Sequence, residues 1–183
     1  MSKFTFIETK ILDLYIIEPT VYGDTRGFFM ETYNQQAFHD QGLTMTFVQD
    51  NHSKSAHGVL RGLHYQAPYP QGKLVRVTQG EVYDVAVDLR QASPTYGQWV
   101  GVFLSEQNKT MFYVPEGFAH GFLVVSETAE FVYKCTNFYA PGNESGILWN
   151  DSTLNISWPL DLLHHGADSV RLSEKDALLP PLR

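Results

Sequence analysis

Two histidines and a tyrosine stand out as groups able to move protons. His64 closes the string Arg61-Gly62-Leu63-His64, and His120 closes Pro115-Glu116-Gly117-Phe118-Ala119-His120. An imidazole titrates near pH ~6.5, which suits it to abstract a proton at neutral pH. A phenol can act as the partner acid, and Tyr133 is a candidate, one of 10 tyrosines. Cations gather around the first histidine. Arg61, Lys73 and Arg76 flank it in sequence, and Arg26 sits in the turn-like segment Gly23-Asp24-Thr25-Arg26-Gly27. Basic groups beside a base suit a phosphorylated or nucleotide-bearing substrate. Surface pairing with the excess acids fits the same pattern equally well. His39, His52 and His57 lie in polar, turn-like or short helical surroundings. His164-His165 reads as solvated surface in a loop bounded by Pro and Gly.

Metal chemistry is the other use for such histidines. Residues 115–120 spell PxGxxH, the second motif of cupins, small β-barrels that often bind metal. The first cupin motif normally supplies HxH and a following glutamate, whereas here His64 is followed by Tyr65 and Gln66. A catalytic metal needs about three protein ligands in a compact set. His64 and His120 supply two, and Asp84 stands at unsuitable spacing for a third, so no metal is expected.

Short β-rich runs must position these groups. They cover residues 12–18, 28–33, 59–66, 73–79, 81–88, 99–104, 111–114, 121–125 and 130–136. Their spacing predicts a β-sandwich or barrel, and the break at Gln79-Gly80 reads as a hairpin. Helical signal is confined to residues 34–41 and to Ser173, an N-cap candidate before Glu174, Lys175 and Asp176. Strand alternation sorts the side chains. His64 shares a face with Leu60, Gly62 and Gln66; Asp84 with Val82 and Ala86; Tyr133 with Phe131 and Cys135. A barrel whose mouth holds a small ligand has this pattern. Arg61 and His64 fall on opposite faces of a regular strand. For both to touch one ligand, the strand must bulge or a dimer must use the other face.

Composition bounds the classes. The chain has 183 residues, suiting one domain, with 43% hydrophobic and 18% charged residues. Aromatics are abundant: 12 Phe, 10 Tyr and 3 Trp make 14%. A net charge of −7 without a basic run disfavours duplex nucleic acid as a partner. The single cysteine, Cys135, excludes an internal disulfide framework or a multi-cysteine zinc site. No apolar run approaches the roughly 18 residues of a membrane span, and MSKFTFIETK lacks the apolar core of a signal peptide. A cytoplasmic, soluble protein with no membrane contact is expected. An acidic chain that binds an anion must bring its few cations together.

Longer strings carry a resemblance. Gly23-Asp24-Thr25-Arg26-Gly27-Phe28-Phe29, Gln49-Asp50-Asn51-His52-Ser53, Arg61-Gly62-Leu63-His64, Gln71-Gly72-Lys73-Leu74-Val75-Arg76, Pro94-Thr95-Tyr96-Gly97-Gln98-Trp99 and Leu172-Ser173-Glu174-Lys175-Asp176 occur in this order. Together with the segments 80–88, 114–122 and 147–151, they make the chain resemble the dTDP-4-dehydrorhamnose 3,5-epimerase family over about residues 11–180. The resemblance implies an all-β, cupin-type jelly-roll β-barrel with short peripheral helices. It implies one domain over residues 1–183 with its barrel core at about 45–140, a homodimer, and no metal or other cofactor. It also implies the substrate dTDP-4-dehydro-6-deoxy-D-glucose, from the dTDP-L-rhamnose pathway. The C4 ketone of that sugar acidifies the protons at C3 and C5, and each is removed and returned on the opposite face through an enolate. By the same resemblance His64 is the base, Tyr133 the acid and Asp176 the carboxylate that orients the histidine. Lys73 and His120 lie by the sugar. Arg26, Glu31, Gln49, Asp50, Asn51, Arg61, Glu144 and Lys175 bind the nucleotide, and Tyr139 stacks on thymine. Some of these come from the partner subunit. The segment 160–167 departs from the family pattern and receives no role.

Other outcomes share parts of this pattern. A C3-only epimerase or a 3,4-ketoisomerase of the same barrel differs in pocket detail and proton placement, and Tyr133 beside His64 and Asp176 favours double epimerisation. A metal cupin predicts stoichiometric metal. A non-catalytic sugar-nucleotide module predicts dTDP binding without exchange of substrate protons.

Overall fold

The structure, a computed structural model, describes residues 3–182. The strands are β1 (Phe4–Glu8), β2 (Tyr15–Pro19), β3 (Tyr22–Asp24), β4 (Gly27–Phe29), β5 (Gln49–Ala56), β6 (Leu60–Gln66), β7 (Lys73–Gln79), β8 (Glu81–Asp88), β9 (Trp99–Ser105), β10 (Met111–Val114), β11 (Phe118–Val124), β12 (Thr128–Cys135) and β13 (Glu144–Gly146). Two sheets dominate, in the orders β1-β2-β10-β7-β12-β5 and β13-β6-β11-β8-β9, and β3 and β4 form a separate two-stranded ribbon. The all-β expectation stands. The architecture is a jelly-roll sandwich of six and five strands rather than a continuously closed barrel. Among the described residues, no helix is long and apolar enough to cross a membrane.

The break at Gln79-Gly80 is not a hairpin. β7 belongs to the six-stranded sheet and β8 to the five-stranded one, so the chain changes sheets there. A glycine is needed at this corner. Gly80 has φ +75°, and a Cβ would stand 2.0 Å from the Thr128 carbonyl oxygen. Gly80→Ala should therefore cost about 2–4 kcal/mol, read as a lower denaturant midpoint. A loss under about 0.5 kcal/mol would mean the corner relaxes freely.

Alternation divides the apolar residues among three clusters. Val75, Val77, Val82, Ala86, Phe118, Phe122 and Phe131 fill the space between the sheets. Leu60, Leu63, Val85, Val87, Ala119 and Leu123 face the other way and are covered by the C-terminal segment through Leu154, Trp158 and Leu163. Phe38, of α1 (Gln35–His39), packs with Phe4, Ile17 and Leu74 on the outer face of the six-stranded sheet. The second cluster matters most for the site. Packing the C-terminal segment onto the five-stranded sheet returns it to β6, where Val59 bridges Arg171. The short helix α2 (Glu174–Ala177) then begins with Ser173 as its N-cap, the hydroxyl accepting from the Asp176 amide at 3.0 Å.

Candidate active site

A cavity of about 510 Å³ is walled by β6 and β11 on one side and β12 on the other, with Glu144 and the 171–176 segment at its rim. It gathers His64, Tyr133 and Asp176, and with them Arg61, Lys73, His120, Glu144 and Lys175. Arg61 and His64 share this cavity because β6 bulges. His120 of β11 pairs with His64 and Phe122 with Arg61, so two steps on β11 span three on β6. The extra residue reverses the parity of the strand. Gly62 and Gly121 allow the close approach there: a Cβ on Gly62 would stand 2.5 Å from the Gly121 Cα.

His64 Nε2 donates to Asp176 Oδ1 at 2.6 Å, and Asp176 is buried. A carboxylate at Nε2 fixes the proton on that nitrogen and leaves the Nδ1 lone pair as the basic site of the neutral ring. Glu144 lies 3.9 Å from Nδ1, beyond a hydrogen bond, and is itself paired with Lys175. Deeper in, His120 Nε2 donates to Asp84 at 2.9 Å, and both residues are buried. Each histidine is thus tied to its own carboxylate. Among the described residues, no group of three His, Cys, Asp or Glu side chains is arranged to hold a metal ion.

Tyr133 faces these histidines from the opposite sheet. Burial raises its pKa, supported by Cys135 and Glu144 and opposed by Arg61, so the phenol holds its proton at neutral pH. Lys73 is lowered by burial, and Cys135, Asp84 and Glu144 oppose that shift. Its ammonium is a short-range cation in a weakly solvated site, able to meet charge that develops on a substrate oxygen.

The other expected site residues lie outside this cavity. Gln49 and Asn51 alternate onto the same face of β5 as Ser53, which does line it. The Asn51 amide reaches Cys135 Sγ at 3.5 Å. Asp50 points outward to Lys134 at 3.0 Å. Tyr139 is half exposed, its backbone amide held by Gln49 Oε1 at 2.9 Å. Arg26 sits on the β3–β4 ribbon, paired with Asp24 at 2.6 Å, and Glu31 is held by Lys3 and Asn34. Arg76 does not join Lys73 at the cavity, contrary to the expectation from their nearness in sequence. It is an odd number of residues from Lys73 on a regular strand and lines a groove on the outer sheet face with Asp50 and Lys134. Two further groups enter the site. Asp84, which holds His120, is legible in the sequence as a polar residue on an apolar strand face and as a metal ligand at unsuitable spacing, not as the partner of His120, and Arg171, just ahead of the Leu172–Asp176 string, carries no signal of its own.

The family model described as dTDP-4-dehydrorhamnose 3,5-epimerase matches residues 8–183. A dTDP-4-dehydrorhamnose 3,5-epimerase of Shigella flexneri is 62% identical over 172 residues, covering 93% of this chain and 91% of that protein. The crystal structure of the same enzyme from Elizabethkingia anophelis is similar with a TM-score of 0.92 and 50% identity, covering 98% of this chain and 97% of that one. A Legionella pneumophila 3,5-epimerase in complex with dTDP-4-keto-L-rhamnose gives 0.89 and 50%, covering 98% and 99%. With a match that runs through both sheets and the C-terminal return to His64, the chain belongs to the dTDP-4-dehydrorhamnose 3,5-epimerase family.

Proposed function

We propose that this chain epimerises dTDP-4-dehydro-6-deoxy-D-glucose at C3 and C5 to dTDP-4-dehydro-L-rhamnose, with His64 as base, Tyr133 as acid and Asp176 holding the base in its working tautomer. The observation that carries the reading is the placement of a His–carboxylate pair on one sheet and a protonated phenol on the other, across one cavity. Inversion at carbon needs a group on each face of the ring. A proton leaves C3 or C5 to His64 Nδ1, and the electron pair moves onto the C4 oxygen as an enolate. Asp176 then supports the imidazolium. Lys73 and the Asp84-held His120 are the groups available to stabilise the enolate oxygen. Tyr133 delivers a proton to carbon from the other face, and solvent resets both groups before the second centre reacts.

The nucleotide half of the site extends from Arg61, Glu144 and Lys175 toward Gln49, Asn51 and Tyr139. In this reading, Arg26 and Glu31 are supplied by a second copy of the chain. The ribbon that carries Arg26 is exposed along both strands, with Phe28 60% and Phe29 66% exposed. Isolated two-stranded ribbons are marginal, and rings exposed on one mark a surface for a partner. These exposed rings support the homodimer of this reading, and the enzyme is proposed to act in the cytoplasm.

Proton NMR of the substrate in deuterated water with enzyme and no added metal should give deuterium at both C3 and C5. Exchange at C3 alone would identify a 3-epimerase, and exchange at neither carbon would overturn the enzymatic reading.

A further inference from the structure

The cations at the cavity differ in whether the protein already neutralises them. Lys175 is paired with Glu144. Arg61 donates only to a neutral hydroxyl, Ser55 Oγ, at 3.1 Å. Arg171 also lines the cavity, and among the described residues its guanidinium has neither a hydrogen bond nor a carboxylate partner. Its backbone, by contrast, is held firmly. The Arg171 amide donates to the Gly58 carbonyl at 2.8 Å, its carbonyl accepts from the Leu60 amide at 3.0 Å, and it bridges Val59 in parallel. Leu172, the next residue, packs into the apolar cluster beneath the five-stranded sheet. The segment is therefore anchored on both sides while the guanidinium stays uncommitted at the rim.

This is an economical way for a chain of net charge −7 to bind an anion. Lys3, Arg26, Lys54, Arg90, Lys134 and Lys175 are each paired with an acid, but two guanidinia at one rim are not, and guanidinium matches phosphate oxygens in a planar, bidentate geometry. We propose that Arg171 is a diphosphate-binding residue of this enzyme, acting with Arg61 on the phosphates of the sugar nucleotide. The inference rests on the function proposed above and adds to it a specific contact from the C-terminal return segment. Because the side chain has no protein partner to lose, replacing it leaves the anchoring backbone bonds in place.

Calorimetric titration of wild type and Arg171→Gln with dTDP and with thymidine tests this. Arg171→Gln should weaken dTDP about tenfold and leave thymidine within about twofold, and the loss in turnover of the sugar nucleotide should fall on KM rather than kcat. Arg171→Lys should recover part of the dTDP affinity. Unchanged dTDP affinity in Arg171→Gln, or an equal loss for dTDP and thymidine, would overturn the proposal. The wild-type protein separates this from the parent reading. If it epimerises the substrate while Arg171→Gln binds dTDP normally, only the role of Arg171 falls. If wild type neither binds dTDP nor turns over the substrate, the proposed function fails and takes this inference with it.

Discussion

His64→Ala should abolish deuterium incorporation at both C3 and C5 while dTDP binding survives. Both effects come from the same geometry. The Nδ1 lone pair is the basic atom left free once Nε2 is committed to Asp176, and alanine offers nothing in its place. A positioned base contributes roughly 10²–10⁴-fold. Losing it at two successive centres should bring turnover below about 10⁻³ of wild type. The proposed phosphate contacts are separate. Arg61 reaches the cavity through its own place beyond the bulge, and Arg171 and Lys175 arrive from the C-terminal segment. Binding, measured by titration with dTDP, should hold within about threefold. Near-normal turnover by the variant would show that another group is the base. Loss at one carbon only would divide the two epimerisations between different bases.

Much of this site can be read from alternation alone. The period of two places Asp84 with Val82 and Ala86, and Tyr133 with Phe131, on faces that turn into the interior between the sheets, whereas the bulge separates His64 from Leu60, which packs on the other side of its sheet. The Ser173 cap was legible because a hydroxyl followed by Glu, Lys and Asp has a local meaning. What alternation cannot supply is the departure from regularity. The β6 bulge adds one residue and moves Arg61 onto the face of His64, and nothing in Arg61-Gly62-Leu63-His64 marks it except a glycine that close approach requires. The corner at Gly80 reads as a hairpin because a glycine between two strand runs suits both turns, and the choice is made by which strands pair elsewhere. Nearness in sequence groups Arg76 with Lys73, but alternation along their strand sends them to opposite faces. The Asp176–His64 contact spans 112 residues and depends on tertiary packing of the C-terminal segment. Only the family resemblance foresaw it.

Tyr133→Phe should separate proton loss from proton return. The substitution keeps the ring that packs against Phe131 at 5.9 Å between centroids, so the cavity wall survives and only the hydroxyl is lost. His64 and Asp176 are untouched, and proton abstraction continues. Without a donor on the far face, the enolate is recaptured by His64 from the face it left. Once the imidazolium has exchanged with solvent, recovered substrate carries deuterium at its original configuration, while inverted product falls by roughly 10²-fold or more. Quenched time courses by NMR would give both quantities from one sample. The ratio of exchange to inversion should therefore rise sharply in the variant, whereas loss of folding or of substrate binding would lower both together. An equal fall would remove Tyr133 as the acid. The prediction turns on the phenol being protonated when the substrate arrives. Burial favours that state by raising its pKa, with the Arg61 cation nearby to ease formation of the phenolate once the proton has gone.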